Sequence, residues 1–137
     1  MSDNSCCTPS AAQSCECASA QSRFLALPCA GGSNVGQISN AAAVELDRRA
    51  QASVYCLVGV AAHIPGMVDA ARNAPGVIAI DGCAVCCARK ALEHIGIPVT
   101  RHVVITELGI EKNHVFEWSG EQVETVLAAA MGVPGGA

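Results

Sequence analysis

The sequence predicts a three-layer α/β domain on a four-stranded, mainly parallel sheet, Rossmann-like or flavodoxin-like in kind. Three observations predict it. Short, continuous apolar runs alternate with amphipathic helical segments at the spacing of βαβ units. Turn residues (Gly, Pro, Asn, Ser) separate the two kinds of segment. The chain has 137 residues, the size of one domain, and 51% of them are hydrophobic, enough to build a buried core and to exclude a disordered chain.

Residues 1–22 contain Ser, Ala, Gln, Asn and Cys without apolar period and are expected to form a flexible, cysteine-containing tail. The ordered domain is expected over 23–132. Phe24–Pro28 is a continuous apolar run, as in a buried parallel strand. Cys29 to Asn34 breaks the regularity, and Ser33 or Asn34 can cap a helix that buries Ile38, Ala42 and Leu46 and exposes Glu45, Asp47, Arg48 and Arg49. Val54–Val60 reads as the second strand, followed by a loop with His63 and a short helix over 65–73 that begins on Pro65. Val77–Asp81 is the third strand. A helix from about Ala84 to His94 follows, with Gly96 as its left-handed stop. His102–Thr106 is the fourth strand. Ser119-Gly120-Glu121-Gln122 has the pattern of a capping box opening a last helix through Met131, closed by Gly132. Residues 133–137 are expected to form a flexible C-terminus. Strand order does not follow from the pattern.

Composition narrows the function. The net charge is −4, with 12 acidic against 8 basic residues, so no electrostatic footprint for nucleic acid is visible. No apolar run approaches the ~18 residues of a membrane helix, and the first residues carry neither the basic nor the apolar part of a secretion signal. These features predict a cytoplasmic protein with neither nucleic acid nor membrane as partner. A protein partner stays open.

Nine cysteines in 137 residues are too many, and too clustered, for incidental packing. Four lie in the tail (Cys6, Cys7, Cys15, Cys17), three in the segment Cys83, Cys86, Cys87, and Cys29 and Cys56 stand alone. Ligands of open α/β sheets bind beyond the carboxyl ends of the strands. Cys29 and Cys83 follow the first and third strands and belong on that edge, which His63 and Glu107 are placed to join. Cys83 and Cys87 share a helical face, and Cys83 with Cys86 makes a C-x-x-C pair at a helix N-terminus, where thiols are expected to ionise more readily. Thiolates are ligands for soft or borderline metals, and four suit tetrahedral zinc. Cys56 falls about 10 Å short of the edge on the strand reading. It packs in the core, or supplies a fourth sulfur if the strand ends earlier. The tail cysteines either bind a second metal or hand metal inward, or are incidental.

The segment Gly31-Gly32-Ser33-Asn34-Val35-Gly36-Gln37 stands where a phosphate loop would. Gln37 and Ile38 replace its lysine and hydroxyl residue, so nucleoside triphosphate is not expected to bind. The loop residues Gly31, Gly32, Ser33, Asn34 and Gly36 are expected instead to approach a metal–thiolate group and donate N–H bonds to its sulfurs. His102 and His114 read as hydrogen-bonded or solvated histidines, and Asp81 as a residue bonded to loop backbone.

These motifs resemble the DGC-domain family, named for the triplet seen here as Asp81-Gly82-Cys83. The likeness runs from Leu25 to about Leu127. It includes Cys29 with Gly31–Asn40, Tyr55-Cys56-Leu57, Asp81–Cys87, and Thr106 with Leu108–Lys112. The family looks like a zinc binder because it carries four candidate chelating cysteines, and by position these are Cys29, Cys56, Cys83 and Cys87. The resemblance makes Cys86 an extra, and Cys15-x-Cys17 is similar to a short lead that some members carry. It implies a zinc ion and no reaction. The expected function is therefore zinc binding, structural or in metal handling or sensing, with no catalytic residue assigned; the sequence does not separate a structural metal from an exchangeable one. The alternatives are a thiol oxidoreductase or sulfur carrier using Cys83 and Cys86, and an iron–sulfur protein with four thiolate ligands.

Overall fold

A computed structural model describes residues 23–133. The expected tail and the residues from 134 on, with Cys6, Cys7, Cys15 and Cys17, lie outside the described residues. The described chain runs β1 (Leu25–Pro28), α1 (Asn34–Arg48), β2 (Ser53–Val54), α2 (Leu57–Ala61), α3 (Pro65–Asn73), β3 (Val77–Asp81), α4 (Cys87–His94), β4 (Arg101–Val104), a 3₁₀ turn (Ile105–Leu108) and α5 (Gly120–Met131). The sheet is parallel throughout, in the order β2-β1-β3-β4. This is the expected α/β class.

Period-two alternation in the central strands divides the core into two layers. Ala26, Ile78 and Ile80 pack on one face with Val35, Ile38, Ala42 and Leu46 of α1 and Val126, Leu127 and Ala130 of α5. Leu25, Leu27, Val77 and Ala79 face the other way, against Val60, Val68, Ala71, Ala88 and Leu92 of α2, α3 and α4. The caps were legible beforehand. The Ser33 hydroxyl accepts from the Gly36 amide at the start of α1, Ser119 and Gln122 form a capping box on α5, and Gly132 closes that helix at φ +70°.

Three local readings are corrected. The second strand spans only Ser53–Val54, and Leu57–Ala61 is helix, with Cys56 as its N-cap. A continuous apolar run does not separate strand from helix. His63 consequently stands in the α2–α3 loop, its ring 5.8 Å from that of His94 at the end of α4, and does not line the cysteine pocket described below. The fourth helix begins at Cys87 instead of Ala84, and β4 covers Arg101–Val104 before the chain tightens into the 3₁₀ turn.

Candidate metal centre

The carboxyl ends of β1 and β3 carry the site. Cys29 follows β1 directly, and its amide donates to the Ile80 carbonyl at 2.9 Å, which fixes it beside the end of β3. The chain then leaves β3 through Asp81-Gly82-Cys83. Gly82 passes so close to α1 that a β-carbon on it would lie 2.9 Å from the Gly36 nitrogen, and one on Gly36 would lie 2.2 Å from the Gly31 oxygen. Only glycine at both positions lets the two loops meet.

Between these loops lies a pocket of about 220 Å³ whose wall includes Cys29, Cys83, Cys87, Gly31, Gly32 and Lys112. Two of the three sulfurs have N–H donors. The Gly82 amide donates to Cys29 Sγ at 3.3 Å, and the Lys112 ammonium approaches Cys83 Sγ at 3.6 Å. Such donors favour a sulfur that carries charge, as a metal-bound thiolate does. Lys112 is held there by Asn34, whose side-chain amide donates to the Glu111 carbonyl at 2.9 Å and whose Oδ1 accepts from the Asn113 amide. The donor set therefore fits a thiophilic divalent ion. The three sulfurs are not drawn together, since in tetrahedral zinc they would lie about 3.8 Å apart. Among the described residues, the set of three ligand atoms within 4.8 Å of one another is a different one.

That set is Asp81, Cys86 and His102, and its residue types are those that coordinate a metal ion. Asp81 is 1% exposed. Its Oδ1 accepts from the Ala88 amide at 2.7 Å, and its Oδ2 accepts from the Arg89 amide at 3.1 Å and from His102 Nε2 at 2.8 Å. The carboxylate thus caps α4 from the end of β3, a task usually done by the residue preceding the helix. Cys86 holds that preceding position in the left-handed region, φ 55° and ψ 48°, with no capping bond from its side chain.

The expected site residues therefore separate. Cys29, Cys83 and Cys87 share the pocket. Cys56 is exposed and does not line it, and its sulfur accepts from the Gly59 amide at 3.3 Å. The β1–β2 pairing extends to the Tyr55 amide, which donates to the Ala26 carbonyl at 2.9 Å one residue before Cys56. Cys86 is buried and does not line the pocket, and burial first and the Asp81 charge second raise its thiol pKa above the ordinary value. This overturns, for Cys86, the expectation of easier ionisation at a helix N-terminus. Gly31, Gly32, Ser33, Asn34 and Gly36 border or brace the pocket, but the amide found on a sulfur there is that of Gly82. Gln37 spans the loop to the Ala30 and Gly31 carbonyls. Glu107 is exposed in the 3₁₀ turn, and His114 bonds to the Gly32 carbonyl oxygen.

Sequence reasoning missed Lys112 and the grouping of Asp81, Cys86 and His102. The strand register holds the signal for the latter. Asp81 pairs with Val104, and His102, two residues before Val104, shares its face.

A parallel α/β domain with a thiol-lined pocket at its carboxyl edge and a buried Asp/Cys/His group behind it is the class that fold and site define. The chain belongs to the DGC-domain family, whose model matches residues 25–130. It is similar to the anaerobic and virulence modulator AnvM of Pseudomonas aeruginosa, with 31% identity over 103 residues, covering 75% of this chain and 79% of that protein. No solved structure matches the chain. Among the described residues, no helix is long and apolar enough to cross a membrane.

Proposed function

We propose that this protein is a zinc-binding domain that holds one ion in the pocket through the thiolates of Cys29, Cys83 and Cys87. Cys56, one strand away at the same edge, is the fourth ligand in this reading. The observation that carries it is the meeting of three cysteines from two loops and a helix start at a single pocket. The N–H donors on Cys29 and Cys83 support it, because they offset the negative charge that several thiolates bring to one metal. Zinc bound there would cross-link the β1–α1 and β3–α4 loops. The α2 N-terminus joins them when Cys56 closes the set, with the Cys56 side chain rotating away from the Gly59 amide.

A role in metal handling or sensing fits better than catalysis. The name of the relative, an anaerobic and virulence modulator, supports a regulatory part. The five described cysteines are free thiols, which suits work in the reducing cytoplasm. Cys83 faces the pocket while Cys86 is buried behind it, an arrangement that favours chelation over a Cys83–Cys86 disulfide.

Anaerobic purification of the full chain followed by elemental analysis tests the reading. Zinc is expected, with one equivalent lost in the Cys83→Ser/Cys87→Ser double variant. Full zinc content in that variant, or a coloured protein with iron and acid-labile sulfide, would overturn it.

A further inference from the structure

Asp81, Cys86 and His102 lie outside the pocket and use none of its residues. We infer that they form a second, separate metal site, suited to a borderline divalent ion such as Zn²⁺, outside the thiol pocket. It stands independently of the pocket reading.

Three features carry the inference. First, one sulfur, one carboxylate and one ring nitrogen lie within 4.8 Å of one another, and these are residue types that ligate a single ion. A mixed S/N/O set selects ions of borderline softness and leaves a coordination position for water or an incoming ligand. Second, the group is held ready. The Ala88 and Arg89 amides fix both oxygens of Asp81; Oδ1 keeps acceptor capacity toward an ion, and Oδ2 regains it when the His102 bond is given up. These amides would remain as the outer bonds that orient a ligating carboxylate. Third, the backbone accepts strain to place the thiol. Asp81 performs the capping of α4, so Cys86 is released from that task, and its left-handed conformation turns it inward to 8% exposure.

The site is also reachable. The His102 side chain is 20% exposed, so an ion meets the ring from solvent before the two buried ligands. On binding, the Cys86 thiol proton leaves to solvent, the His102 Nε2 proton is given up to solvent while Nδ1 takes one from it, and the His102–Asp81 hydrogen bond gives way to two metal bonds. The two sites are then linked through Gly82–Val85, since Asp81 and Cys86 bound the stretch that carries Cys83.

The test is a titration of metal-free, full-length protein, labelled with ¹⁵N at its four histidines, with Zn²⁺ under anaerobic conditions. Long-range ¹H–¹⁵N spectra report the ring nitrogens. The expected result is a saturable shift of one His102 nitrogen to a metal-bound position. The shift persists in the Cys83→Ser/Cys87→Ser variant and is weakened at least 10-fold in Cys86→Ala. Elemental analysis of His102→Gln should show one zinc fewer than the parent, with the pocket ion retained. Unmoved His102 nitrogens in the parent protein at saturating zinc overturn the inference whatever the variants do. A His102 response lost in the pocket variant but kept in Cys86→Ala overturns it too. In either case the zinc held by Cys83 and Cys87 still reports separately on the pocket.

Discussion

His102 Nε2 lies 2.8 Å from Asp81 Oδ2, and this bond ties β4 to the one carboxylate that caps α4. A strand end, a helix start and the neighbouring strand therefore share one buried acid.

Removing that acid releases three donors at once. Asp81→Ala is expected to destabilise the fold by about 3 kcal/mol, because two helix amides and a partly exposed imidazole lose their acceptor. Urea unfolding of the metal-free protein checks it. Asp81→Asn, which keeps an acceptor oxygen, should lose less.

The close approach of the two loops makes a sharper steric prediction. Gly36→Ala sets a methyl group 2.2 Å from a backbone oxygen that cannot rotate away, and it should lower stability by about 2 kcal/mol or more. Gly32→Ala meets nothing within 4 Å and should change it by less than about 0.5 kcal/mol. Thermal melting of the two variants side by side, with a difference of roughly 8 °C expected, separates them.

Lys112 should matter for metal and little for folding. Its ammonium is exposed apart from its approach to Cys83 Sγ. Lys112→Ala is expected to weaken zinc binding on the order of 10-fold, as loss of an outer partner of a ligand does, with the melting temperature of the metal-free protein unchanged. Competition with a chromogenic chelator measures the affinity.

A surface prediction concerns pH. Arg49, the C-cap of α1, bonds to Glu45 of α1 and to Glu124 of α5, and the guanidinium holds the Glu124 carboxyl below its usual range. The sign follows from that depression. The contribution is present above the ordinary glutamate pKa and is lost as pH falls through the lower, folded value. Carboxyl ¹³C titration should show Glu124 titrating below the unperturbed value, and Arg49→Gln should return it upward. Both groups are exposed, so added salt should shrink the effect.

Both core clusters are assembled from residues between Leu25 and Ala130. Residues 23–133 expressed alone are therefore expected to fold, with a melting temperature within about 3 °C of the full chain. A larger drop would show that the outer segments stabilise the domain.

The α/β class, the capped helices and the cysteine-bearing edge were legible because each rests on local periodicity or on a fixed offset from a strand end. Ser33, Ser119 and Gly132 announce their roles within four residues of where they act. Cys29 and Cys83 could be set at one edge because parallel strands all end on the same side. Val54–Val60 was misread because burial of an apolar run does not reveal its period, and Val58, 76% exposed, shows the helix that resulted. What only the tertiary structure decided is which side of the Asp81–Cys87 loop each thiol faces, and which acid and base meet there. Cys86, in the left-handed region, lies outside the pocket that Cys83 and Cys87 line. Asp81 meets His102 only through the β3–β4 register. Such contacts join residues distant in sequence, and only packing brings them together.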